Sequence, residues 1–164
     1  MNNVRVYFLI AFSQTDTLID FFSAIENAFG RYDFFTQDIK FPYELKKSPK
    51  GAQNKIRIVS LKKPYRISQM KSFLNKTLKI QKKLARKGNT DFNITCGYVT
   101  PEQIISLHPK EAPLKIYMQK NIYARVQFAL IDKKIIPFYT AGEEFSLPEV
   151  KKFFLDLQRL FKDR

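Results

Sequence analysis

The spacing of apolar residues in the first hundred positions predicts an alternation of strands and helices. The nearly all-apolar run at residues 4–12 is typical of a strand that is buried on both faces. Apolar residues at helical spacing follow between Leu18 and Phe29, and Gly30 comes where a helix C-terminus usually has a glycine. Further strands are predicted at residues 31–41, 55–61 and 91–99. With a second helix between the last two strands, we expect the order β-α-β-β-α-β for residues 1–99.

The second predicted helix, residues 68–87, places its apolar and its basic side chains on opposite halves. Ser68 precedes it as a capping residue, and Gly88 follows its end. Met70 and Phe73 are among the apolar residues that share one half of the helical wheel. The other half holds seven basic residues: Lys71, Lys76, Lys79, Lys82, Lys83, Arg86 and Lys87. We therefore expect one face to pack on the domain and the other to be positively charged.

The second half of the chain is predicted to form a short helix, three strands and a final helix. Residues 100–103, Thr-Pro-Glu-Gln, match a capping box with proline at the first helical position, which predicts a short helix ending at Leu107. Three apolar segments with short polar connections predict an antiparallel meander at residues 114–118, 122–131 and 135–139. A second capping box, at residues 146–149, predicts the start of an amphipathic C-terminal helix.

Together these elements predict an α+β fold in a single domain that spans residues 1–164. Residues 1–99 would form an antiparallel sheet with a ferredoxin-like β-α-β-β-α-β order. The meander and the C-terminal helix, within residues 100–164, would extend that half. The segment 44–54 contains proline and glycine without an apolar period, so we expect an exposed, mobile loop there.

The positive charge of the chain is concentrated in one segment. The 164 residues carry a formal net charge of +14, and residues 46–90 hold 15 Lys and Arg with no Asp or Glu. The remaining residues, with 14 basic and 15 acidic side chains, are nearly neutral. Because such a segment attracts polyanions, we expect nucleic acid or another polyanion as the partner.

Other features of the composition indicate a cytoplasmic protein. The one cysteine, Cys96, cannot form an intramolecular disulfide and is typical of a reducing compartment. The apolar run at residues 4–12 lacks a cleavage-type sequence and is too short for a signal peptide. No later apolar run reaches the roughly 18 residues that a transmembrane helix needs, so we expect no membrane insertion. The sequence leaves the oligomeric state open.

The first functional hypothesis is a non-catalytic module that binds the backbone of nucleic acid, RNA in preference to DNA. Its contacts would come from five side chains of the second helix, called here the basic ridge: Lys71, Lys79, Lys82, Lys83 and Arg86. A flexible flank would add Lys46, Lys47, Lys50, Lys62 and Lys63. Phe41, Tyr43 and Tyr65 lie beside this segment and would stack on bases. The alternatives are a solvated face without a partner, and an anionic membrane or acidic protein as partner.

No pattern in the sequence predicts a catalytic or metal site. His108 is the one histidine, and we interpret it as a surface-loop imidazole because no nucleophile–base arrangement lies near it. Cys96 is interpreted as a buried strand cysteine. One His and one Cys cannot build the usual zinc sites, and the five glycines form no phosphate-binding loop. No carboxylates have the spacing of an acid/base pair, so we expect no cofactor and favour a non-enzymatic function.

Motifs between residues 93 and 140 resemble those of a bacterial family of domains of unknown function. The family has an Asn-Leu-Asp-Pro-Gly-Tyr-Leu motif where residues 93–99 read Asn-Ile-Thr-Cys-Gly-Tyr-Val. Further matching segments are Phe29-Gly30, Lys110-Glu111, Lys115-Ile116-Tyr117-Met118, Asn121-Ile122-Tyr123-Ala124-Arg125-Val126 and Pro137-Phe138-Tyr139-Thr140. Thr95-Cys96, Leu114-Lys115 and Arg125 depart from the family's Asp-Pro, His-Arg and acidic residue. The resemblance implies the fold grouping and gives no reaction.

Two further functions stay open. A small-molecule-binding protein or enzyme would have a pocket in the region of the family motifs, lined by Asn93, Gly97, Tyr98, Lys110, Tyr117, Tyr123 and Thr140. A structural or assembly protein would use the edge of the meander or the aromatic final helix as its interface.

Overall fold

The structure, a computed structural model, describes residues 3–43, 53–89 and 91–161. Within these ranges it has an α+β fold with ten strands in one antiparallel sheet and three helices, which confirms the predicted fold class. The helices are α1 (Thr15–Phe29), α2 (Met70–Arg86) and α3 (Pro148–Arg159). The strands are β1 (Asn3–Phe12), β2 (Tyr32–Phe35), β3 (Ile39–Phe41), β4 (Asn54–Leu61), β5 (Tyr65–Arg66), β6 (Phe92–Val99), β7 (Gln103–His108), β8 (Ile116–Gln119), β9 (Ile122–Ile131) and β10 (Lys134–Pro137). Short 3-10 turns cover Ile67–Gln69 and Glu143–Ser146.

The strands are arranged in the order β10-β9-β7-β6-β1-β4-β2. Three short strands lie off this path, where β3 pairs with β4, β5 with β1 and β8 with β9. α1 leads from β1 to β2, and α2 leads from β4 and β5 to β6. One antiparallel strand separates β1 from β2, and another separates β4 from β6, so both helices belong to split βαβ connections. The predicted meander continues the same sheet through β7 and β9.

β1 lies in the middle of the sheet, and its side chains from Val4 to Phe12 are buried on both faces, as the sequence predicts. Phe8 and Ile10 belong to the core under α1 and α2. Tyr7 and Leu9 point to the opposite core, which α3 covers. The sheet therefore separates two apolar cores, and each helix buries its apolar side against one of them.

α1 and α2 form an antiparallel pair on one face of the sheet. The rings of Phe29, at the end of α1, and Phe73, at the start of α2, lie 5.4 Å apart. At the other end of the pair, the side-chain amide of Asn89 donates to the carboxylate of Asp20 at 3.3 Å. Gly30 ends α1 as predicted, with a φ of +89° that side chains rarely adopt.

α3 covers the opposite face, and its apolar residues confirm the predicted C-terminal helix. The ring of Phe154 contacts Tyr7 edge-on at 4.9 Å and stacks with Phe145 at 5.9 Å. The predicted capping box at residues 146–149 does not form. Ser146 instead closes the preceding 3-10 turn, where its hydroxyl donates to the carbonyl of Glu143 at 2.7 Å.

The predicted short helix after Thr100 is wrong, because this segment forms the strand β7. The Thr100 hydroxyl does accept a backbone N–H, from Gln103 at 3.0 Å, but this bond closes only a turn. Ile104 and Ile105, which follow, are buried between β6 and β9. Pairing on both sides with these strands outweighs the local helix signal.

Two smaller predictions also differ from the structure. The strand expected at residues 31–41 is divided into β2 and β3, because Thr36 binds the backbone of Ile58 between them. Ser68 does not cap α2; it lies in a 3-10 turn where the Gln69 side chain accepts the Arg66 N–H at 2.8 Å. The loop predicted at residues 44–54 falls largely on residues 44–52, which lie outside the described residues.

β10 forms an edge of the sheet beside β9. The apolar side chain of Ile136 in this strand is 45% exposed. Lys134 begins the strand and Pro137 ends it, and both residue types discourage pairing with a further strand. Within the described ranges, no helix combines the length and apolar character that crossing a bilayer requires.

Candidate functional site

α2 presents the basic ridge on the side that points away from the sheet. The opposite side of the helix is buried, with Phe73, Leu74 and Ile80 among the residues packed on the core. All five residues of the ridge are exposed, and so are Lys76 and Lys87. The predicted separation of apolar and basic side chains is therefore present in the helix.

Part of the positive charge of residues 46–90 is neutralised locally. Lys55 and Arg57 on β4 both form ion pairs with Asp38, and the hydrogen bond from Arg57 is the main cause that lowers the pKa of that carboxyl. Lys87 pairs with Asp20 of α1 at 3.6 Å. Among the ion pairs between described residues, none includes a member of the basic ridge.

The flanking cations predicted to assist the ridge divide into two groups. Lys62 and Lys63 are exposed between β4 and β5, at the end of the sheet where α2 begins. Lys46, Lys47 and Lys50 lie outside the described residues.

The three aromatic residues predicted to stack on bases differ in exposure. Phe41 is buried, and the half-buried ring of Tyr65 packs on Phe73 at 5.8 Å. Tyr43 is 37% exposed and contacts Phe41 at 5.2 Å. Of the three, Tyr43 is the ring that a partner reaches most easily.

A second group of polar side chains lies on the α3 face of the sheet, on the neighbouring strands β7 and β9. Ser106 pairs with Arg125 across the strands, and His108 pairs with Tyr123, so their side chains share one face. We call the following residues the β7–β9 cluster: Ser106, His108, Lys115, Arg125 and Gln127. Lys115 precedes β8 and interacts electrostatically with both His108 and Arg125.

A β-bulge in β9 brings Gln127 into this cluster. Ile104 pairs with Phe128 and Ile105 with Val126, so Gln127 is the extra residue. Its amide donates to the Ser106 hydroxyl at 2.7 Å, while its carbonyl accepts the Gly142 N–H at 2.9 Å. The bulge thus places the buried Gln127 amide beside Ser106. The same amide binds the backbone of Gly142, in the segment that follows β10.

His108 ends β7 as a half-buried residue, where the sequence suggested a surface-loop imidazole. Its Nε2 lies 2.8 Å from the Ser106 hydroxyl. Burial first, and then the charges of Lys115 and Arg125, together lower its pKa to about 4. The imidazole is therefore neutral at pH 7, and its surroundings oppose a further positive charge.

Arg125 is incompletely paired. One end of its guanidinium, Nη1, donates to the Thr140 carbonyl at 3.5 Å. Its Nε is buried and has no hydrogen-bond partner among the described residues. Burial and the neighbouring Arg125 charge also lower the pKa of Lys115. Two cations therefore lie side by side in a partly desolvated site.

Ser106 and His108 do not form a nucleophile with an accessible hydroxyl. Ser106 is fully buried, and its oxygen already accepts the Gln127 amide. Burial also raises the pKa of the Cys96 thiol to about 12, so this cysteine is not a thiolate at neutral pH. The described residues contain no group of three potential metal ligands. The cluster is therefore suited to binding an anion. Its one hydroxyl, that of Ser106, is too buried to act as a nucleophile.

The residues predicted to line a pocket are only partly brought together. Gly97, Tyr117, Tyr123 and Thr140 lie around the β7–β9 cluster on the α3 face. Lys110 is exposed nearby, and its carbonyl accepts the Lys115 ammonium at 3.2 Å. Asn93 lies further along β6 opposite Ala11, and Tyr98 is buried in the core of the other face.

Gly97 is required by a close approach of other groups. A Cβ at this position would lie 1.9 Å from the Ile105 carbonyl oxygen and 2.8 Å from the Tyr7 hydroxyl. The Tyr7 hydroxyl crosses β6 there and donates to the Ile105 carbonyl at 3.2 Å. The glycine thus lets the tyrosine lie beneath the cluster.

Sequence reasoning missed Ser106, Arg125 and Gln127 as site residues. No spacing along the chain brings them together, because their neighbours in the site come from a different strand. The usable signal in the sequence was the set of departures from the family motifs at Thr95, Lys115 and Arg125, because all three residues lie on the α3 face. Thr95 contacts Glu144 on that face at 3.5 Å.

One family model, described as Domain of unknown function (DUF4416), matches residues 2–161. No curated protein and no solved structure matches the chain. The matched range contains both the basic ridge and the β7–β9 cluster.

Proposed function

The chain belongs to the family described as Domain of unknown function (DUF4416), and we propose that it binds the phosphate backbone of nucleic acid through the basic ridge. The observation that carries this proposal is a row of five exposed cations on α2 without an acidic partner among the described residues. Their charge is preformed on a rigid helix, so a polyanion would bind without ordering a flexible segment.

The length of the ridge suits several successive phosphates. Lys71 and Arg86 are separated along the helix axis by about 22 Å at 1.5 Å per residue. Lys79, Lys82 and Lys83 fill the interval. Contacts of this kind recognise charge and carry no sequence information, so we expect low sequence specificity.

The position of Lys71 supports a role in binding. Lys83 and Arg86 lie in the last turn of α2, where cations also stabilise the helix dipole. Lys71 lies in the first turn, which holds no acidic residue and where a cation is unfavourable. Helix stability therefore does not account for the whole ridge, whereas a polyanionic partner does.

We expect RNA to bind better than duplex DNA. Tyr43 lies at the end of the sheet where α2 terminates, and its exposed ring would stack on an unpaired base.

Fluorescence anisotropy with a labelled, mixed-sequence single strand of RNA, about 20 nucleotides long, tests the proposal over a salt series. The variant in which all five ridge residues are replaced by Gln should lose most of the affinity. Its log–log salt slope should be shallower by about 3.5, the value for five phosphate contacts to a single strand.

A control variant changes the same number of charges elsewhere. It replaces five exposed lysines outside α2 with Gln: Lys40, Lys110, Lys120, Lys134 and Lys152. Equal salt slopes for the two variants would show that net charge and not the ridge governs binding. Absence of binding by the wild type at about 50 mM salt would end the proposal.

A further inference from the structure

Three nitrogen-bearing side chains, those of His108, Lys115 and Arg125, meet in the β7–β9 cluster, and none of them forms an ion pair with a carboxylate of the described residues. His108 lies on β7 two residues beyond Ser106, and Ser106 pairs with Arg125 on β9, so His108 and Arg125 are diagonal neighbours on the same face. Lys115 interacts with both, and all the charges that act on His108 are positive. Repulsion between these groups destabilises the free protein. Such an arrangement is typical of a site that binds a ligand of opposite charge.

One acidic side chain on this face, that of Glu144, is engaged elsewhere. Glu144 accepts the Thr95 hydroxyl at 3.5 Å and lies against Gly142. The described ion pairs include neither Arg125 nor Lys115. The balancing negative charge is thus not supplied by the described part of the chain.

The buried Nε of Arg125 indicates where a ligand would bind. A buried guanidinium N–H without an acceptor is costly, and native proteins seldom leave one unpaired. The Thr140 carbonyl orients the guanidinium through Nη1. An oxyanion that approaches the guanidinium would satisfy Nε and make the short, charge-assisted bonds that arginine forms with such groups.

We propose that the β7–β9 cluster is a binding site for the phosphate group of a small phosphate monoester, held by Arg125 and Lys115. A monoester carries a charge of about −1.5 to −2 at pH 7, which matches these two cations. The organic part would pack on Tyr117, which is 64% exposed and contacts Tyr123 edge-on at 5.8 Å. This site lies on the opposite face of the sheet from the basic ridge and does not depend on the ridge binding nucleic acid.

The chain's one histidine makes the site directly observable, because the imidazole protons of His108 give a single pair of NMR signals. Phenyl phosphate at pH 7 should shift these signals in a saturable way. Replacing Arg125 with Gln should weaken binding about 10-fold or more, the effect of losing a charge-assisted pair. Lys115→Gln, at a less buried position, should weaken it in the same direction. Lys134→Gln, at an exposed lysine of β10, is the control and should change the affinity less than about twofold.

Methyl phenyl phosphate distinguishes a monoester from a nucleic-acid backbone, because it keeps the phenyl ring but is a diester with a single charge. We expect it to bind at least about 10-fold more weakly than phenyl phosphate. Equal binding of the two would overturn the monoester proposal. So would the absence of a saturable His108 shift, or equal affinities for the wild type and both the Arg125 and Lys115 variants.

The five-Gln variant of the basic ridge separates this proposal from the proposed function. It should retain the phenyl phosphate response of His108 while losing RNA. Loss of the response in that variant would contradict two independent sites.

The pH dependence of binding provides a second readout. A bound anion stabilises the imidazolium, so it should raise the His108 pKa from about 4 against the opposing charges of Lys115 and Arg125. Sulfate, whose charge is constant in this range, should therefore bind more tightly as the pH falls from about 6 to 4. A His108 pKa that sulfate does not change would contradict the predicted geometry.

Discussion

His108 shows how burial and two neighbouring side chains determine the charge state of an imidazole. Its pKa, about 4, lies below the ordinary value of 6.5, first because of burial and then because of Lys115 and Arg125. In the unfolded chain this imidazole takes up its proton at a higher pH than in the folded chain. Stability should therefore be complete above about pH 6.5 and should fall as the pH drops towards 4.

The corresponding prediction concerns the pH dependence of the free energy of unfolding. Between pH 6.5 and 4 the His108 contribution should cost about 1–3 kcal/mol, allowing for partial solvent screening. Asn in place of His108 keeps a polar group beside Ser106 but does not titrate. The difference between the wild type and this variant, measured by urea unfolding at several pH values, isolates the imidazole from the carboxylates.

A wild type and a variant with parallel stability curves over this range would contradict the lowered pKa. The same NMR signals that report ligand binding give the pKa of the free protein. The two measurements therefore test one quantity by independent routes.

At the residue scale, the sequence showed which groups titrate but not what surrounds them. Pro109 and Pro113 after His108 suggested a loop, whereas the imidazole ends a paired strand. Arg125 reaches it only because Ser106 pairs with Arg125 in the register of β7 and β9. The pairing register depends on tertiary packing, so no local pattern could predict this contact.

At the element scale, the helices were predictable because their period is local. The apolar stripe of α2 is readable from the sequence, and the burial of Phe73 and Leu84 follows it. β7 was not predictable in this way, since the turn bonds of Thr100 look like a helix start. Only the flanking strands β6 and β9 decide that Ile104 and Ile105 are extended.

The first turn of α2 offers a test of why its lysines are there. Lys71→Glu places a negative charge where the helix dipole favours one, so the variant should be more stable by about 0.3–1 kcal/mol. The same change should weaken RNA binding. Lys71→Gln should give an intermediate result in both thermal unfolding and anisotropy.

Opposite signs for stability and binding would mean that α2 sacrifices helix stability for its partner. A Lys71→Glu variant that is less stable than the wild type would contradict the dipole argument. An unchanged RNA affinity in this variant would remove Lys71 from the ridge.

At the scale of the whole molecule, the sheet separates two kinds of positive site. The basic ridge is an open row on one face, whereas Arg125 and Lys115 lie partly desolvated on the other. α1, beside α2, carries Asp16, Asp20 and Glu26 and no basic residue, so the charge on that face changes sign between neighbouring helices. Composition predicted the excess of +14, but its division between the two faces needed the strand order.

The edge strand β10 and the net charge of the chain together determine whether copies of the protein associate. A net charge of +14 makes copies of the chain repel one another, and this repulsion opposes association through the edge, where Ile136 is 45% exposed. RNA added to charge equivalence would remove that repulsion and leave the edge accessible to other copies.

We therefore expect turbidity to be greatest near the equivalence ratio and to clear in excess RNA or high salt. Ile136→Lys, which adds charge to the edge itself, should lower that maximum in a light-scattering titration, while Lys152→Gln, away from the edge, should not. The partner that the ridge attracts would thus also govern the colloidal state of the protein.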